Sequence, residues 1–66
     1  MLHNIRKAVQ ALYPRLNNLN TPLAKVALQR LDAALTNATG IIDPNDPKAK
    51  ELGQARDFAL TILNNS

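Results

Sequence analysis

Leu2, Ile5, Val9, Leu12, Leu16 and Leu19 recur at alternating spacings of three and four residues. That period puts all six side chains on one stripe of an α-helix, whereas a half-buried strand would need strict alternation. A stripe of this length demands other apolar surfaces to cover it, which confines the chain to packed-helix architectures. Ala8 and Tyr13 flank the stripe, while His3, Lys7, Gln10 and Pro14 lie roughly opposite, with Arg6 beside them. Pro14 removes the bond from its own nitrogen to the Gln10 carbonyl and crowds that turn. The choice is one bent helix, or a helix to Leu12 followed by a short helical turn. The stripe passes Pro14 without slipping, and Pro14 projects to the solvent side. A single helix over residues 2–19, bent near Pro14, is therefore expected.

The middle of the chain, Thr21 to Ile41, has marked ends. Thr21 is placed to cap the first helical turn, and Pro22 at the first helical position loses nothing by lacking an N–H. Gly40 suits the left-handed conformation that closes a helix, with Ile41 folding back onto Leu35. These signals predict a helix over 22–39. Leu23, Ala24, Ala27, Leu28, Leu31, Ala34, Leu35 and Ala38 share one broad apolar arc, which Val26 and Ala33 widen. An arc this wide is expected to touch two neighbours. In the stretch that follows, Asp43-Pro44 and Asp46-Pro47 each look like a cap followed by proline at the first helical position. Asp46 is the better start, leaving Asp43–Asn45 as a turn, and the third helix then spans 47–64. Its expected inner face is Leu52, Ala55, Phe58, Ala59, Ile62 and Leu63, with Ala49 and Leu60 at one margin. Gly53 falls on the outer side, where close approach by another chain is the one reason available for it.

Sixty-six residues make one domain, residues 1–66, near the lower limit for a chain that folds without staples. There is no cysteine and no Cys/His cluster, so neither disulfides nor a structural metal can add stability. The expected fold is all-α, a small three-helix up-down-up antiparallel bundle whose central helix contacts both others.

The charge is unevenly placed. Arg6, Lys7, Arg15, Lys25 and Arg30 all precede the first acid, Asp32, so residues 1–31 carry +5; the remainder has three basic and five acidic residues. A basic half points to anionic lipid, nucleic acid or an acidic protein surface, or else is a solvated face. Catalysis has little to stand on, because His3 is the one histidine and no phosphate loop, paired carboxylates or metal-ligand spacing occurs. No enzyme, cofactor or metal is expected. A DNA-reading helix needs several basic and amide side chains on one exposed face. The central helix offers Lys25 and Gln29 with Asp32 in the same row, so nucleic acid ranks lower. The apolar stripe of the first helix is needed for the core, which leaves its charged border, or the apolar residues Val26, Leu60 and Leu23 off the main arcs, to meet a partner.

The segment NIRKAVQALYPRL (residues 4–16), a leucine-bearing helix, the Asp43-Pro44 turn and a last helix together resemble the pediocin-like bacteriocin immunity proteins. Those are small basic cytosolic helical bundles whose first helix often contains a Leu-Tyr pair like Leu12-Tyr13. This chain is shorter, and the family's fourth helix and C-terminal tail, associated there with specificity, have no counterpart in it. The resemblance implies a non-catalytic protein that protects a producer cell at the inner membrane face, acting on a bacteriocin–receptor assembly.

The expected function is thus binding to a protein or membrane-associated assembly, in the cytoplasm or peripheral to the inner membrane face. Arg6, Lys7, Tyr13, Arg15 and Arg30 are the candidate partner-binding residues. Val26 and Leu60, off the main arcs, are the candidates for self-association in a homodimer. No apolar run is long enough to span a bilayer. The alternatives are a small nucleic-acid-binding or regulatory protein from a mobile element, and a self-associating structural helical module.

Overall fold

The computed structural model describes residues 2–66, and three helices account for most of them: α1 Leu2–Leu19, α2 Pro22–Asn37 and α3 Pro47–Asn64. They run up, down and up, each packed against the other two. α1 continues through Pro14 without interruption, and Pro14 faces solvent. A proline whose ring points outward removes one hydrogen bond but leaves the buried side of the helix intact.

The junctions show local chemistry at work. Asn20 takes a left-handed conformation (φ 49) and its N–H donates to the Leu16 carbonyl, closing α1 as the asparagine form of a left-handed helix cap. Thr21 then accepts from the Ala24 N–H at 3.1 Å, opening α2 after a connection of two residues. At the other end, Asp46 accepts from the Lys48 N–H at 2.9 Å and Pro47 begins α3, as the sequence predicts. Asp43 accepts from the Asn45 N–H at 2.9 Å, so the first Asp-Pro pair builds a turn.

α2 ends at Asn37, two residues short of the expected Thr39. Gly40 is left-handed (φ 82), but the Ile41 N–H donates to the Ala38 carbonyl at 3.0 Å. Positive φ at the third residue alone is the signature of a type II turn over Ala38–Ile41. The glycine reverses the chain after the helix instead of extending it. The Thr39 hydroxyl satisfies the Leu35 carbonyl at 3.1 Å.

The core comprises Leu2, Val9, Leu12 and Leu16 of α1, Ala24, Ala27, Leu31 and Ala34 of α2, and Ala49, Leu52, Ala55, Ala59 and Ile62 of α3, with Ala38 following α2. Two assignments need correction. Leu23, expected inside, is 53% exposed. It lies in the first turn of α2, at the margin of the arc and beside the last turn of α3, where little chain remains to cover it. Ala49, expected at a margin, is buried, while Phe58 and Leu63 are half-buried rim residues packed on the core. The width of the α2 arc also acts differently from expectation. Val26 and Ala33 face solvent, and the partly buried Leu28 and Leu35 supply the second contact side.

Gly53 has open surroundings. A Cβ built there would meet nothing nearer than the Arg56 guanidinium at 3.9 Å, an ordinary contact. Gly53→Ala is expected to stabilise the fold by about 1 kcal/mol by restricting the unfolded chain. Urea unfolding of the two proteins side by side measures this; an unchanged or lower midpoint would contradict it.

Candidate functional site

The bundle distributes the five candidate partner-binding residues over several surfaces. The Arg6 guanidinium donates to the Ala38 carbonyl, 32 residues away, and so places a cation at the C-terminal end of α2. That position is electrostatically favoured and uses Arg6 to join α1 to α2. Tyr13 lies on the same flank of α1 and donates its hydroxyl to Asp32 Oδ1 at 2.5 Å, again bridging to α2. Arg15 is exposed about 180° round α1 from Arg6, taking 3.6 residues per turn. Lys7 points outward between them. Arg30, on the α3 side of α2, rests its guanidinium over the Phe58 ring at 4.7 Å. Two of the five, Arg6 and Tyr13, thus tie helices together, and the exposed cations do not converge.

The Tyr13 hydroxyl is pushed above its ordinary value of 10.0 by burial first, then by its bond to Asp32 and that carboxylate's charge. A raised pKa means the folded state holds the proton more tightly than the unfolded chain. The contribution is fully present below about pH 10 and is lost as pH rises further. Tyr13→Phe is expected to cost about 1 kcal/mol at pH 7, at the low end for a bond to a charged group because the pair is solvent-accessible. It should also flatten the fall in stability between pH 9 and 11. Urea titrations of both proteins across that range provide the measurement; parallel curves would show that the phenol does not couple to folding.

The two residues considered for self-association do not share a patch. Val26 is 44% exposed and lies one turn before Arg30, on the side of α2 that faces Phe58. Leu60 is partly buried and sits about 200° round α3 from Phe58. One apolar surface joins the exposed Leu23 and Val26 of α2 to the half-buried Phe58 of α3. At its α2 N-terminal end lies a groove of about 400 Å³ lined by Leu19, Leu23, Phe58 and Ile62, with Thr21, Thr61, Asn65 and Ser66 at its polar edge. No charged side chain lines it.

A second recess, of about 340 Å³, occupies the opposite end of the bundle between the start of α1 and the loop after α2. His3, Arg6 and the 88% exposed Ile42 belong to it, but Arg6 is already committed to the Ala38 carbonyl. Among the described residues no group of three acidic, histidine or cysteine side chains is placed to hold a metal ion. None of the described helices is long and apolar enough to cross a membrane.

Sequence reasoning placed Phe58 inside, where it is a half-buried rim residue, and put Leu23 both on the core arc and among the residues open to a partner, because the spacing of both is that of core positions. The available signal was their location. Leu23 follows the capping Thr21-Pro22 pair directly, and Phe58 sits at the edge of an inner face otherwise dominated by alanine and aliphatic residues. Comparison with protein-family models, curated proteins and solved structures finds no match for this chain.

Proposed function

We propose that this chain is a non-catalytic binding protein of the immunity type, acting at the cytosolic face of the membrane on a protein or membrane-associated assembly. The observation that carries the reading is the Leu23–Val26–Phe58 surface, in which Leu23 and Val26 are exposed, Phe58 is half-buried and Arg30 forms the border. Single exposed apolar residues are ordinary, but a contiguous group beside a groove marks an interaction surface. The helical bundle and the pattern of residues 4–16 are in keeping with the resemblance to bacteriocin immunity proteins. The alternatives have less support. A nucleic-acid binder works by gathering cations along one face, whereas Arg30 lies on the α3 side of α2, apart from the exposed Lys7 and Arg15 of α1. A self-associating module built on Val26 and Leu60 would need both on one surface.

The test is protection. Expressed inside a sensitive bacterium, the chain is expected to raise the dose of at least one pediocin-like peptide needed to kill, and Leu23→Glu with Val26→Glu is expected to abolish that protection. Unchanged killing across the peptide panel would overturn the reading.

A further inference from the structure

α2 carries a second seam that its own chain leaves bare. Leu23, Val26, Arg30, Ala33 and Asn37 follow a 3-4-3-4 spacing, the period of a helix–helix contact, and all five are exposed. Beside this seam, Arg30, Ala33 and Ala34 of α2 and Glu51, Gln54 and Ala55 of α3 line a recess of about 110 Å³. Arg30 stacks on Phe58, and Glu51 stands two turns before Phe58, about 10 Å along α3. The two charges therefore share a recess without pairing; among the described residues the sole ion pair is Arg56 with Asp57. Between them lie Ala33 and Gln54, both exposed. We propose that this face binds a second copy of the chain, α2 against α2 in antiparallel, about a two-fold axis at Ala33. Such an axis sets Arg30 of each copy against Glu51 of the other, so an unpaired cation and an unpaired anion become two ion pairs. Ala33 at the axis lets the helices approach, and Val26 of each copy lies against the Asn37 end of α2 in the other.

Charge and size select this occupant. The chain carries a net charge of +3, and α1 has no acidic residue, so two copies repel each other along α1. The α2–α3 recess instead holds one charge of each sign, an arrangement complementary to itself. A stable pairing covers about 800 Å² per partner. The side of the body, 33 Å by 17 Å, comes near that size once side chains are added, whereas its ends, 17 Å by 16 Å, do not. The recess around Ile42 lies at one of those ends. An anionic bilayer calls for several cations together, and here it would meet Arg30 beside Glu51.

The inference rests on reading this side of the bundle as the interaction surface, and the two ideas fail separately. Val26 cannot meet a copy and another partner at once, so the pair is the form the chain adopts alone. Sedimentation decides the pairing and the killing assay decides immunity, each independently of the other. Analytical ultracentrifugation between about 10 μM and 1 mM should show a reversible monomer–dimer equilibrium. Arg30→Glu sets like charges against each other at both contacts and should weaken the dimer at least about tenfold, as should Glu51→Arg. An equimolar mixture of these two variants restores opposite charges at both contacts and should sediment as a dimer again. An ion pair within one chain cannot produce that recovery. Both residues are exposed, and circular dichroism verifies that each variant is folded. A chain that stays monomeric at the highest concentration overturns the proposal. So does a dimer that either charge variant leaves intact, or a mixture that fails to associate.

Discussion

Leu31→Ala is expected to leave the chain largely unfolded at 25 °C. Leu31 is fully buried, midway along α2 in the helix that contacts both others. Truncating a buried leucine costs about 2–5 kcal/mol, the upper part of that range applying where the surroundings cannot collapse into the cavity. A single core in a domain of this size supplies only about 3–5 kcal/mol in total. The loss and the reserve are of the same order, so the substitution removes most of the folded population. Leu23→Ala provides the contrast, because a side chain 53% exposed should change stability by no more than about 0.5 kcal/mol. Far-UV circular dichroism of both variants during urea titration measures the difference. A cooperative transition for Leu31→Ala close to that of the unaltered chain would mean that stability resides outside the core.

The second large effect runs in the opposite volumetric direction. Among the described residues half of the fourteen buried apolar ones are alanine, and Ala27 and Ala59 have no exposed surface at all. Small side chains at such positions let helix backbones approach closely, and there is no space for more atoms. Ala27→Leu is expected to destabilise by about 1–3 kcal/mol through displaced neighbours and off-rotamer packing, despite adding apolar area. Ala33→Leu, at an exposed position of the same helix, should be nearly neutral. Thermal unfolding of the pair distinguishes packing geometry from hydrophobicity. If both substitutions raised the midpoint, the close approach of the helices would be wrong.

How much of this was legible in the sequence depended on distance along the chain. The stripe from Leu2 to Leu19 and the caps at Thr21 and Asp46 are local signals, set by helical period and by a side chain two or three residues from its partner. Each could be read directly. The end of α2 was legible only in part, because Gly40 announces a left-handed residue without saying whether it closes a helix or turns the chain after it. The roles of Arg6 and Tyr13 were not legible as structure. Their partners, Ala38 and Asp32, lie 32 and 19 residues away, and a basic or aromatic residue at the edge of a stripe looks the same whether it meets a neighbour or a ligand. The groove was hidden for a related reason, since it is made where α1 and α3 finish and α2 starts, a meeting that no periodicity encodes.

An odd number of antiparallel rods sends the polypeptide out at the pole opposite its entry. Leu2 and Ser66 therefore sit at opposite ends of a body whose longest dimension is 33 Å. Joining them to make a circularly permuted version would need a bridge of about ten extended residues at roughly 3.3–3.6 Å each. A fluorophore or tether attached near Leu2 would stay clear of the 400 Å³ groove, whereas one attached at Ser66 would stand at its mouth.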